Sequence, residues 1–168
     1  MVRVRGVIDG ATVVEGARRY LGVPYVLGGT TPRAFDCSGL VRYVFGQYGI
    51  AMPRTAHEQA AVGRAPEPGE ELRPGDLLFF YGGQGAQHIA IYVGRDSILH
   101  ASSTSGRVRL DRLSGTGARR TWFGRRLIAV RRLLPAPGFF DLPATLAGSE
   151  AAGLALSDSS AAAQPRIY

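Results

Sequence analysis

Lysine is absent from this 168-residue chain, cysteine occurs once, and no long apolar run interrupts it. A single thiol, Cys37, excludes an internal disulfide, so cystines give no sign of the redox compartment. With lysine missing, all 20 cationic side chains are arginines. The N-terminal Met1-Val2-Arg3-Val4-Arg5-Gly6 has no apolar stretch of the secretory-signal kind. No run approaches the ~20 apolar residues that span a bilayer. The expectation is a soluble polypeptide without a membrane span, its export signal removed or its route unconventional. There is no internal repeat.

What is present is a globular composition, 45% apolar and 20% charged, in a length that suits one domain with a real core. The 23 glycines are about twice the usual ~7% share and predict tight turns between short strands. A formal charge of +7 attracts polyanions, and nucleic acid and anionic cell-wall polymers both qualify. The arginines cluster at Arg18-Arg19, Arg107 to Arg112, Arg119-Arg120, Arg125-Arg126 and Arg131-Arg132. Several alternate along one predicted strand, as on a solvated sheet face, and that plainer reading is preferred. A nucleic-acid partner is not expected.

Periodicity places helices first and strands afterwards. Residues 10–21 form a first helix, with Thr12 and Glu15 spaced as a capping box and Val14, Ala17 and Leu21 on one stripe. The stretch from Pro24 to Pro32 is too rich in glycine and proline to be an element. A central helix runs from about Cys37 to Tyr48, capped by Asp36 and ended by Gly49. A short third helix at 56–62 follows the Thr55/Glu58 capping box. Strands are expected at Asp76–Tyr81, His88–Val93, Ile98–Ser103, Arg107–Leu113 and Arg125–Leu134. The fold class is therefore α+β, N-terminal helices packed on a mainly antiparallel sheet of five or six strands. Residues 1–134 make the domain. Residues 135–168 read as a low-complexity tail, flexible or docked through Phe139-Phe140, with one short helix at Glu150–Ala155.

Cys37 is the residue with chemistry to offer. A lone cysteine is often a small buried hydrophobe, but this one stands at a helix start, where backbone N–H groups and the helix dipole favour a thiolate. Its polar or tiny neighbours Asp36, Ser38 and Gly39 suit a cleft, and Gly39 leaves room for a second backbone or a substrate. In a strand, His88 shares a face with Ala90 and Tyr92. A three-residue turn at 93–95 would pair Tyr92 with Asp96 and set His88 directly across from His100, whereas a four-residue loop would put them on opposite faces. Cys37 as nucleophile, His88 as base and His100 as the group orienting the base satisfy triad logic. A zinc site from the same side chains is the weaker alternative, because no C-x-x-C or H-x-x-x-H pair supports it; no metal or cofactor is expected. His57 reads as a surface residue.

These segments resemble the NlpC family of bacterial cell-wall cysteine peptidases, which have a papain-like core. The matching pieces are Tyr20 to Tyr25 with Gly28-Gly29, Phe35 to Val41, Pro53-Arg54-Thr55 with Gln59, Leu72 to Phe80, His88 to Gly94, and Ile98 to Ser102. They occur in family order over about residues 10–134. The resemblance implies that Cys37 attacks a peptide carbonyl with His88 as base and then acid, and that His100 holds the imidazole. It further implies that Tyr25 lines the site and helps the Cys37 N–H bind an oxyanion. Asp36 and Ser38 match residues that grip the free amino end of a peptidoglycan stem peptide, and Asp36 also serves as the helix cap. Arg54 and Gln59 read as structural. The implied reaction is hydrolysis of the γ-D-glutamyl–diamino acid bond, in the cell envelope or outside the cell. Anionic wall polymers could meet the arginine-rich surface. Two other readings stand beside it: an amidase or acyltransferase of the same superfamily, and a catalytically silent, basic wall-binding domain.

Overall fold

A computed structural model describes residues 8–115 and 121–135. Beyond Pro135 the expected tail, with its Phe139-Phe140 pair and short helix, lies outside these residues, as does Arg119-Arg120.

Helix α1 (Gly10–Arg18) begins on Asp9, whose carboxylate accepts the Thr12 N–H and hydroxyl, both at 2.8 Å. The expected Thr12/Glu15 box is thus corrected: the cap lies three residues earlier, because Asp9 has the extended backbone of a cap and a side-chain acceptor in reach of the Thr12 N–H. Val13, Val14 and Ala17 are buried, but Leu21 lies past the helix end and is 40% exposed.

The stretch expected to carry no element, Pro24 to Pro32, contains a short strand, β1 (Thr30–Thr31), which forms a small hairpin with β2 (Ala34–Phe35) just beyond it. The β-branched threonines supply the strand and Pro32-Arg33 the turn. Phe35 then hands the chain to α2 (Cys37–Gly46), capped by Asp36 as expected. The short α3 (Ala56–Gln59) carries the full Thr55/Glu58 capping box.

Five strands form one antiparallel sheet: β3 (Leu77–Tyr81), β4 (Ala86–Gly94), β5 (Ser97–Ser102), β6 (Arg107–Arg112) and β7 (Leu127–Arg131), in the order β6-β5-β4-β3-β7. One face packs Leu77, Phe79, Ile89, Ile91, Leu99 and Ala101 against Leu40, Val41, Val44 and Phe45 of α2. The other buries Leu78, Phe80, Ala90 and Ile98 beside Phe123 and Leu127. Strand β3 is therefore buried on both faces, which is why Leu77-Leu78-Phe79-Phe80 shows no alternation. The expected last strand, Arg125–Leu134, is shorter, Leu127–Arg131, and its first two residues belong to a helix: Thr121 caps the short α4 (Trp122–Arg126), accepting the Gly124 N–H at 3.0 Å.

The β4–β5 hairpin turns on Arg95 and Asp96, with φ of 50° and 57°, the two left-handed residues of a type I′ turn. Gly94 pairs with Ser97, Tyr92 with Ile98 and Ile91 with Leu99, and a bulge between Tyr92 and Gly94 absorbs the odd residue. The expected pairing of Tyr92 with Asp96 is corrected by two positions, so His88 is not directly across from His100. A shift of two preserves the face, and the two histidines still point to the same side.

Arg132 locks the far edge. Its guanidinium, 5% exposed, donates to both oxygens of Asp76 at 2.8 and 2.7 Å, to the Glu71 carbonyl at 2.9 Å, and to Glu70.

Candidate active site

The start of α2 is held from three directions. Asp36 accepts the Gly39 N–H at 2.7 Å as helix cap and the Gly28 N–H at 2.9 Å. Arg54 donates to the two oxygens of Asp36 at 3.1 and 2.5 Å and to the Ser38 hydroxyl at 3.0 Å. Burial of Asp36 opposes its ionisation, but the Arg54 hydrogen bonds and the two backbone donors outweigh it and hold the carboxyl below its usual range. Gln59, fully buried, donates to the Ser38 and Pro53 carbonyls at 3.1 and 2.8 Å. Arg54 and Gln59 thus brace the segment bearing Cys37. Gly39 makes room for a backbone: a Cβ there would lie 2.0 Å from the Gly29 carbonyl oxygen.

Cys37 itself is partly exposed, and its thiol donates to the Gln87 carbonyl at 3.8 Å, beside His88 on β4. The expectation that its position ionises it is corrected. Burial pushes the thiol above its ordinary pKa and the Asp36 charge adds to this, against smaller help from the Ile89 and Ser38 N–H groups. The helix N-terminus is offset by the carboxylate that caps it.

His88 and His100 meet edge to face, with His88 Nε2 2.8 Å from His100 Nδ1. His100 is 3% exposed. Phe123 packs 5.0 Å from the His100 ring, and Phe80 and Phe123 lie 6.0 and 6.2 Å from that of His88. This apolar surround, and then the neighbouring His100, push His88 down to about 3. Both shifts favour the uncharged forms of Cys37 and His88.

Sequence reasoning missed two groups. Asp111, on β6, stands 2.9 Å from His100 Nε2 through Oδ2, and Arg109 holds its other oxygen at 2.7 Å. Alternation in the expected Arg107–Leu113 strand put Asp111 on one face with Arg109, but only the register seen in the structure, which pairs Arg109 with His100, brings that face to the histidines. Trp122, 46% exposed beneath the Arg126 guanidinium at 4.8 Å, had no signal in the sequence.

Two depressions meet at Cys37, and Tyr25 and Gln87 border both. The larger, about 740 Å³, adds His88, His100, Arg109, Asp111 and Trp122. The smaller, about 520 Å³, adds Asp36, Ser38, Arg54 and the exposed His57. Burial, then the charges of Cys37 and Asp36, raise the Tyr25 hydroxyl above its usual pKa, so it remains a donor. The structure therefore brings all six expected residues, Tyr25, Asp36, Cys37, Ser38, His88 and His100, to one place. Among the described residues, no group of three or more His, Cys, Asp or Glu is arranged to hold a metal ion, and no helix is long and apolar enough to cross a membrane.

A family model described as the NlpC/P60 family matches residues 22–127. A protein of Corynebacterium glutamicum named "Probable endopeptidase" is 43% identical over 96 residues, which are 57% of this chain and 44% of that one. Among solved structures, an NlpC/P60 family protein from Bacillus cereus is similar with a TM-score of 0.68 and 28% identity, over 77% of this chain and 42% of that one. The peptidoglycan hydrolase RipB from Mycobacterium tuberculosis is similar with a TM-score of 0.57 and 32% identity, over 76% and 67% respectively. The chain spans less than half the length of the Corynebacterium protein and of the Bacillus one.

Proposed function

We propose, because this chain belongs to the NlpC/P60 family, that it is a cysteine endopeptidase that hydrolyses peptidoglycan stem peptides at the γ-D-glutamyl–diamino acid bond. One observation carries the reading. His88 Nε2 is engaged by His100 at 2.8 Å, which leaves Nδ1 as the ring nitrogen for the Cys37 proton.

With both groups neutral at rest, the thiol proton passes to His88 Nδ1 as the sulfur attacks the scissile carbonyl carbon. A C–S bond forms and the oxyanion is received by the Cys37 N–H and the Tyr25 hydroxyl. The C–N bond then breaks, and His88 returns its proton to the leaving amine. Water, activated by the same imidazole, hydrolyses the thioester and restores the thiol.

The two depressions suit the two halves of such a substrate. Asp36 and Ser38 border the smaller one, where a carboxylate favours the ammonium of a stem peptide's free amino end. The leaving diamino acid would then occupy the larger cleft beside Trp122 and Arg109. A peptidoglycan substrate places the enzyme in the envelope or outside the cell, with residues 1–134 as the catalytic part.

Digestion of purified muropeptides, followed by mass spectrometry, tests this reading. Wild type is expected to free a new amino end on the diamino acid, and Cys37→Ala to leave the peptide intact. Cleavage at the glycan–peptide amide would favour an amidase instead. Equal cleavage by Cys37→Ala, or none by wild type, would overturn the proposal.

A further inference from the structure

Beyond the cysteine and its two histidines, the hydrogen-bonded line does not stop at His100. We propose that Asp111 is a positioning residue that fixes the proton arrangement of the histidine pair, so that His88 presents an unprotonated nitrogen to Cys37. This rests on the peptidase reading for its catalytic consequence, though not for the proton arrangement itself.

A carboxylate oxygen only accepts, so the contact of Asp111 Oδ2 with His100 Nε2 at 2.9 Å places the His100 proton on Nε2. A neutral imidazole carries one proton, which leaves His100 Nδ1 as a lone pair. The 2.8 Å contact with His88 Nε2 then requires the His88 proton on Nε2. His88 Nδ1 is left empty and basic. Without the carboxylate the pair has a second arrangement, every bond reversed: His100 Nδ1–H donates to His88 Nε2, and the His88 proton sits on Nδ1. That ring cannot take a proton from the thiol. Asp111 removes this degeneracy.

The setting suits a fixed orientation. Arg109 occupies Asp111 Oδ1 at 2.7 Å, which sets the rotation of the carboxylate and leaves Oδ2 to His100. His100 is buried and walled by Phe123. The charged or titratable groups facing the pair are Cys37 from α2, Tyr25 from the preceding segment, and Arg109 and Asp111 from β6. The rings of Phe80, Trp122 and Phe123 cover it from β3 and α4. Asp111 itself stays a carboxylate through the cycle; it accepts a hydrogen bond and no proton.

The full-length protein decides the matter by two measurements. Only three histidines occur in the chain, so ¹⁵N-labelling of histidine gives few ring signals to assign. In the wild type, His88 and His100 should both be protonated on Nε2, and Asp111→Asn should shift a fraction of each to Nδ1. On the stem peptide cleaved by the wild type, Asp111→Asn should lower kcat about 10- to 100-fold, the range of one charge-assisted hydrogen bond, with KM unchanged. That deficit should narrow at alkaline pH, where the thiol ionises without help. A wild-type His100 protonated on Nδ1, or ring signals identical in the variant, would overturn the proposal. So would an equal deficit at every pH accompanied by a lower melting temperature, which is what a merely structural carboxylate would give. Should the wild type cleave no stem peptide, the functional reading fails while the ring-nitrogen signals still judge Asp111.

Discussion

Acid should weaken this fold through His88 in particular. Its imidazole is pushed from 6.5 to about 3, first by burial and then by His100, with Phe80 and Trp122 6.0 and 6.5 Å from its ring. In the unfolded chain the same ring takes up a proton near pH ~6.5. Between these two values the unfolded state binds more protons than the native one, so stability rises with pH there. The full stability is present above pH ~6.5 and drains away as pH falls towards 3. One pH unit is worth about 1.4 kcal/mol, so moving from pH 8 to pH 5 should cost about 2 kcal/mol through His88 alone. His88→Gln keeps a polar side chain of similar reach and removes the titration. Urea unfolding of both proteins at pH 8 and pH 5 makes the comparison, since His100 and the carboxylates remain in each. The wild type should lose about 2 kcal/mol more than the variant on acidification. Equal losses would mean that native His88 accepts its proton near the ordinary value, and burial by Phe80, Trp122 and His100 could not be what holds it neutral.

Alkylation of Cys37 by iodoacetamide should accelerate in a single step above the ordinary thiol range, because burial and Asp36 raise its pKa; a fast plateau at pH 5–7 would reveal a thiolate–imidazolium pair and refute this. Gly39→Ala places a Cβ 2.0 Å from the Gly29 carbonyl oxygen and should cost about 1–3 kcal/mol as the loop is forced off the helix start. An unchanged thermal midpoint would sink that expectation. Arg54→Ala leaves Asp36 with the Gly28 and Gly39 N–H donors and the Ser38 hydroxyl at 3.4 Å. The Asp36 pKa is depressed in the fold, so its stabilisation exists above pH ~4 and fades as acid protonates it. The variant should be weaker by about 1 kcal/mol at pH 7, allowing for the one-third exposure of Arg54, and the gap should narrow as pH falls below ~4. A gap that stays constant under acid titration would refute the electrostatic cause.

The parts of this molecule that could be read in advance are those where one residue type has one physical use. Asp36 before an amphipathic run read as a cap, Thr55 with Glu58 as a capping box, and Gly39 in the first turn of the helix as a point of close approach, whereas the same spacing at Thr12 and Glu15 was pre-empted by Asp9. The strand faces followed from alternation, which is how His88 and His100 came to the same side. Their register was out of reach, because the bulge after Tyr92 and the left-handed Arg95-Asp96 turn are not written in the polarity of those residues. The thiol's pKa was misjudged because the dipole and the capping carboxylate oppose each other, and only burial decides between them. Strand β3 and helix α4 show tertiary context overriding pattern: the first is buried on both faces, and the second is fixed by one threonine side chain.

Arg132 has a bearing on where this unit can be divided. The family match ends at residue 127, yet the buried guanidinium five positions later neutralises Asp76, which is 2% exposed at the entrance to β3. A polypeptide trimmed to the match would lose β7, which pairs with β3, together with the counter-ion of Asp76; taking away the guanidinium alone would leave a buried carboxylate unpaired, a defect of about 3–5 kcal/mol. Anyone transplanting this module into another protein should keep the chain through Arg132, whatever the family boundary suggests.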